Sequence, residues 1–296
     1  MPRHLPRKAA VTGSAAALLF FAAASGAAEP DLVARGAYLA NAADCVSCHT
    51  DSEHGGKPYA GGRALATPFG TFYSPNITPD RDTGIGRWSE AQFARALRDG
   101  VRPDGANLFP VFPYPSFTRI IDADVRAIWA YLSSLPPVRK SDRPPDVSFP
   151  FSWRFLQTGW KWLFFDRGPF QPNPERSAVW NRGAYLVTAL AHCGECHTPR
   201  NFLGAPEQSR FLAGTGHGPD GKPVPNITPD PDTGIGNWTK DDVVGVLTDG
   251  HTPGSDFVGA AMAEVVKSTA RLTDADRQAI AVYLKSLPPI RSPKKD

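Results

Sequence analysis

Residues 45–49 read CVSCH, and residues 193–197 read CGECH. The chain has four cysteines, and all of them stand in these two copies, each closed by a histidine. Four chemistries use such residues: disulfides, a structural metal, a redox dithiol and covalent haem. Disulfides leave both histidines without a role. A zinc site draws two CxxC pairs into one small module, whereas these pairs stand 148 positions apart. A thioredoxin-like dithiol belongs beside a βαβ pattern, and none is visible. Cys-x-x-Cys-His is the attachment pattern of c-type haem. Thiols one helical turn apart reach the two vinyl groups on one edge of a porphyrin, and the adjacent histidine then lies under the ring. The motifs predict two covalent haem c groups, one on Cys45 and Cys48 and one on Cys193 and Cys196. His49 and His197 are the expected proximal iron ligands.

Each iron has a second axial face. In cytochromes c methionine usually fills it and raises the potential. The chain has two methionines, Met1 and Met262. Met262 lies in GAAMAEVVKST, downstream of the second cysteine motif, where the chain can return to an open haem face. A lone methionine is more often a filler of core gaps, but a haem lacking a ligand in the same half reverses that preference. Met262 is the expected sixth ligand of the second haem. The matching stretch of the first half, LFPVFPYPSF at 108–117, has no methionine. Phe109, Phe112 and Phe117 carry no donor atom, and Tyr114 carries one. His54 is too near His49 in sequence to swing round the ring. His217 and His251 read as surface or loop histidines, and His192 as a neighbour of the second site. The first iron is expected to carry His49 on one face, and on the other water, nothing, Tyr114 or a distant histidine.

The elements that hold these motifs repeat as well. RGAYLANAADC at 35 matches RGAYLVTALAHC at 182, NITPDRDTGIGRW at 76 matches NITPDPDTGIGNW at 226, and AIWAYLSSLPP at 127 matches AIAVYLKSLPP at 279. Blocks in the same order at nearly constant offset mean a duplicated domain, since solenoid repeats have shorter periods. Each copy reads as helical. A first helix runs through Tyr38 or Tyr185 into the cysteine motif. A second starts at the N-caps Ser89 or Thr239, with Gln92 completing a capping box, and stops at Gly100 or Gly250. A third runs from near Asp122 or Thr273 to a Pro-Pro pair, with Val125, Ile128, Trp129 and Leu132 at helical spacing. No convincing strand alternation appears. The acidic NITPDxDTGIG loops fall short of a calcium loop and are explained by Asx and glycine turns.

These readings divide the chain into residues 1–28, a leader; 29–139 and 179–290, two tandem helical domains; 140–178, a linker; and 291–296, a tail. The leader has Arg3, Arg7 and Lys8, then an apolar run from Ala9 to Ala24, then ASGAA. That is the pattern of a cleaved secretory signal, and the run is shorter than the ~20 residues of a spanning helix. The formal charge of +3 belongs to the leader, and the remainder balances. No footprint for nucleic acid or for an acidic membrane surface follows. The linker joins a Pro-rich stretch to FPFSWRFLQTGWKWLFFD, which as a helix is apolar nearly all round. Burial between the domains and docking on a partner or a membrane surface both stay open.

Together with YPSF, GWKWLFF, GPFQPNP and HCGECHTPRN, these motifs resemble the multihaem cytochrome c subunits of bacterial membrane-associated dehydrogenases, which oxidise alcohols, aldehydes, sugars or sugar acids. The likeness covers nearly the whole chain after the leader. It implies two tandem class I cytochrome c-like domains joined by the Pro- and aromatic-rich linker. After the leader no stretch is long and apolar enough to span a membrane, so membrane association is expected to be at most peripheral. Members often carry three haem motifs, and this sequence holds two. In the family the segment aligned with 108–116 places methionine at the position of Phe112, so the resemblance implies that the first-half axial ligand has given way to a residue without a donor.

The expected function is that of an exported, periplasmic dihaem electron carrier. It takes electrons from a dehydrogenase subunit and passes them to a downstream redox protein, an oxidase or a quinone system, with no bond chemistry on substrate. The alternative is a haem enzyme or sensor that binds peroxide or another small ligand at an open first haem. That reading needs distal donors, and the first half offers mostly phenylalanines and prolines.

Overall fold

The computed structural model describes residues 30–218 and 221–292, together with Met1. The expected leader beyond Met1 lies outside the described residues. The helices fall into two sets of the same order. The first holds α1 (Pro30–Ala42), α2 (Cys45–Cys48), α3 (Glu90–Asp99), α4 (Tyr114–Phe117) and α5 (Asp122–Ser134). Between the sets stands α6 (Leu156–Phe164). The second set holds α7 (Ala178–Tyr185), α8 (Gly194–His197), α9 (Lys240–Asp249), α10 (Ala260–Thr269) and α11 (Asp274–Lys285).

Local chemistry fixes the ends. Ser89 and Gln92 exchange side-chain and backbone bonds in a capping box, and Thr239 and Asp242 do the same for α9. Gly100 and Gly250 close these helices at φ of 59° and 81°, the left-handed region where a side chain costs energy. The first copy has eleven residues from Arg35 to Cys45, and the second has twelve from Arg182 to Cys193. α1 runs unbroken, whereas α7 continues into a π-helical turn at Leu186–Leu190. An inserted residue in a helix is taken up as such a bulge. Neither helix runs straight into its cysteine motif. Asp44, in the left-handed region at φ 51°, separates α1 from α2.

In each set the first helix crosses the last, α1 on α5 and α7 on α11. Glycine permits the crossing. A Cβ at Gly36 would stand 1.9 Å from the Ala127 carbonyl oxygen, and one at Gly183 would stand 1.9 Å from that of Ala279. Around these crossings one apolar core runs through both sets, from Leu39, Ile128 and Leu132 to Leu186, Leu190 and Ile280.

Strands are the correction to the sequence reading. β1 (Ala64–Thr67), β2 (Gly70–Tyr73) and β3 (Asp146–Val147) form an antiparallel sheet in the order β1-β2-β3. Elements of two to four residues carry too little alternation to read. β3 comes from the stretch expected to be a linker and pairs it with β2. The Asn76 amide adds to this by donating to the carbonyls of Val138 and Lys140, at 2.7 and 3.2 Å. The aromatic segment divides its residues. Trp160 is buried and donates its indole N–H to the Leu203 carbonyl at 3.0 Å. Phe149, Phe155, Trp162 and Leu163 face solvent, Trp162 at 85 % exposure. Among the described residues no helix is long and apolar enough to cross a membrane.

Candidate functional site

α2 and α8 are single turns, so the paired cysteines of each motif stand one turn apart. All four are free thiols and half-buried. Burial pushes the Cys45 and Cys193 thiols up to about 12 and those of Cys48 and Cys196 up to about 11. A catalytic dithiol calls for the opposite shift. Neutral, half-buried thiols one turn apart suit thioether attachment.

The histidines are set by the loops that follow. The His49 Nδ1 pairs with the Pro75 carbonyl at 2.8 Å, and the His197 Nδ1 pairs with the Pro225 carbonyl at 2.8 Å. A carbonyl only accepts, so Nδ1 carries the proton and Nε2 is left with its lone pair. Both rings are 8 % exposed, and burial lowers their pKa, which favours the neutral imidazole that binds iron. A ligating histidine held by such a bond is the usual arrangement around a metal. Each NITPD loop explains its own rigidity. Asp80 Oδ1 accepts from the backbone of Asp82 and from both donors of Thr83, and Asp230 repeats this with Asp232 and Thr233. These acidic residues make turns.

Cysteines and apolar side chains from the same segments border the shared core. Ile77, Trp88 and Phe112 border the core with Cys45, and Ile227, Trp238 and Phe211 border it with Cys193. Cysteines one turn apart, each pair followed by an imidazole whose Nδ1 is held by a carbonyl, fit covalent haem at both motifs.

Met262, the expected sixth ligand of the second haem, is half-buried in α10. Phe112 is half-buried as well, and its ring meets Phe117 edge-on with centroids 5.6 Å apart. Phe117 in turn lies against His192, at 5.3 Å. Tyr114 is fully buried in a second small cluster with Trp160 and Ala205, and its ring meets Trp160 and Phe165 edge-on. Its hydroxyl has no hydrogen-bond partner among the described residues, and burial raises its pKa. His54 is exposed and pairs with Asp51 at 2.8 Å, and His217 and His251 are exposed.

The sequence reading missed the prolines, because they act through backbone carbonyls. Their signal was the Pro that precedes NITPD in both copies. It also missed Asp44 and Glu195, which join the motifs to the opposite half. Ser268 Oγ donates to Asp44 Oδ1, and Ser116 Oγ donates to Glu195 Oε1 at 2.7 Å.

Comparison with known proteins gives the family. Residues 33–136 match the family model described as cytochrome c. The chain is 43 % identical to a diheme cytochrome c-type protein of Cereibacter sphaeroides, with 86 % of each chain covered. It is 43 % identical to the cytochrome c subunit of a quinone alcohol dehydrogenase of Komagataeibacter europaeus, over 95 % of this chain and 62 % of the relative. It is 47 % identical to a subunit of the nicotinate dehydrogenase of Pseudomonas putida, over 86 % of this chain and 21 % of the relative. The chain thus spans about a fifth of one of these relatives and about three fifths of another. Similarity along most of both chains, and the motifs that carry covalent haem c, show that the chain belongs to the cytochrome c family, with the cytochrome c subunits of dehydrogenases among its relatives.

Proposed function

We propose that the chain is a dihaem cytochrome c that accepts electrons from a dehydrogenase and hands them toward a respiratory acceptor. The observation that carries this reading is the repeated site: two CxxCH turns, each with its histidine fixed by a proline carbonyl. The names of the relatives, cytochrome c subunits of dehydrogenases, supply the donor class. In this reading residues 29–139 and 179–290 are two cytochrome c-like domains, the leader directs export to the periplasm, and a quinone, an oxidase or another redox protein is the acceptor.

Bound haem supplies a one-electron couple, and the chain's own residues set it. Cys45, Cys48, Cys193 and Cys196 anchor the porphyrin edge. His49 and His197 present Nε2, and the Pro75 and Pro225 carbonyls hold that face by keeping the proton on Nδ1. Met262 supplies the thioether of the second site. Phe112 offers no donor at the first. A peroxide enzyme needs polar distal donors, and here Phe112 and Phe117 stand in that segment.

Intact-mass measurement of the exported protein, with a haemochrome assay, tests the reading. The expected result is two covalent haems and loss of the leader. One haem, bound zinc or bare polypeptide refutes it.

A further inference from the structure

The tyrosine–aspartate contacts that join the two halves form a reciprocal pair. Tyr38, in the first half, donates its hydroxyl to Asp276 Oδ2 in the second, at 2.6 Å. Tyr185 is the counterpart of Tyr38, and it donates to Asp124 Oδ2 at 2.7 Å. Asp124 is the counterpart of Asp276. Each carboxylate is also held within its own half, Asp124 by Arg35 Nε at 3.1 Å and Asp276 by Arg182 Nε at 2.8 Å. Asp124 is fully buried, and Asp276 is 8 % exposed. Each tyrosine oxygen accepts from the far half too, Tyr38 from the Thr273 amide and Tyr185 from the Ile121 amide.

A second pair of bonds, between corresponding segments but not corresponding residues, reaches the cysteine motifs. Ser116 follows Phe112 in the distal segment of the first half, and it bonds Glu195, which lies between Cys193 and Cys196. Ser268 follows Met262 on α10, and it bonds Asp44, which immediately precedes Cys45. The distal segment of each half is therefore hydrogen-bonded to the attachment turn of the other. Contact of i with j and of j with i is the signature of a two-fold interface.

We infer that Tyr38, Tyr185, Ser116 and Ser268 are positioning residues that lock the two attachment turns at one separation and orientation, so that electrons pass between the haems within a rigid unit. This rests on the dihaem reading above. Four bonds to carboxylates, two of them to buried ones, oppose any swing of one half against the other, because an opened interface leaves Asp124 and Asp276 without their tyrosines. Each bond to a charged group shifts the ratio of closed to open arrangements about tenfold, equivalent to about 1.4 kcal/mol. Loss of both tyrosine hydroxyls then shifts it about a hundredfold if the two act independently.

The test is the holoprotein with Tyr38→Phe and Tyr185→Phe together, which keeps both rings. Haem content by mass is measured first, so that failure of the dihaem reading is seen separately. Three readouts follow: small-angle scattering, which needs no haem; the distance distribution between the ferric haems by pulsed EPR; and the rate of electron exchange between haems after flash reduction. The expected result is a wider distance distribution, a larger scattering radius and slower exchange, with the absorption spectrum of each haem unchanged. A distribution and an exchange rate equal to the parent's overturn the inference. If the double variant does not fold, Ser116→Ala with Ser268→Ala leaves the buried carboxylates paired and is judged by the same criteria.

Discussion

Exchanging a glycine for alanine is expected to have opposite effects at two helical positions of this chain. In α6, Gly159 is exposed and a Cβ there meets nothing within 4 Å. Gly159→Ala removes the entropic penalty of glycine in a helix, about 0.5–1 kcal/mol. In α1, a Cβ at Gly36 lands 1.9 Å from the Ala127 oxygen and 2.7 Å from the Tyr131 Cβ. The first obstacle is backbone, so no rotamer relieves it. An ordinary carbon-to-oxygen approach is about 3.3 Å, so α1 must lift from α5 by roughly 1.4 Å or tilt away. A gap of 0.5–1 Å already forfeits about a quarter to a half of each dispersion contact. Leu39, Ile128 and Leu132 lie along this crossing and are at most 2 % exposed. The cost therefore falls at the upper end of the overpacking range, about 3 kcal/mol, and outweighs the helix gain of about 1 kcal/mol. The net loss of about 2 kcal/mol lowers Tm by roughly 4–8 °C for a chain of this size. Gly159→Ala raises Tm by about 1–4 °C on the same scale. Far-UV melting of the holoprotein, followed in parallel at a haem band, measures both. A Gly36→Ala protein that melts at or above the parent would falsify the close crossing of α1 on α5.

Three more outcomes are expected. Met262→Ala removes the thioether of the second site, so one haem loses its methionine-to-iron absorption band and shifts to lower potential; survival of the band rejects Met262. In the parent, half the ferrous haem binds carbon monoxide readily, and Phe112→Met closes that site and raises the potential of the first haem; unchanged binding shows that residue 112 does not face the iron. The last concerns Asp276. Burial alone raises its carboxyl, but the bonds from Arg182 and Tyr38 hold it below the usual value. The pairing thus contributes fully above about pH 4, where the unfolded carboxylate is ionised, and is lost as pH falls through the lower folded value. Small-angle scattering across that window should show the halves separating in acid, earlier in Arg182→Ala than in the parent; a flat profile in both rejects the role of the pair.

Much of this architecture was legible because side chains announce it. Ser89 with Gln92, the glycines at 100 and 250, and the CxxCH spacing each act through their own atoms, so their types carry the information. Other parts work through the backbone or through distance. The Pro75 and Pro225 carbonyls orient the imidazoles, and no residue type is special for a carbonyl. Gly36 and Gly183 matter for what crosses them, which only the fold reveals. The Tyr–Asp bridges span 238 and 61 positions, beyond any local pattern, although the repeat of RGAYL placed both tyrosines in view. The β1–β3 sheet escaped notice because Ala64–Thr67 and Gly70–Tyr73 are too short to alternate visibly.

The reciprocal interface also bears on how such a chain diverges. Two identical subunits joined in this way would carry every substitution twice, so losing an iron ligand from one would lose it from both. Once the two copies are fused in tandem, each drifts alone while the shared contacts keep them in register. Phe112 and Met262 stand in corresponding segments of the two copies, one without a donor atom and one with a thioether. Fusion thus frees the two corresponding segments to differ while the contacts between the halves stay.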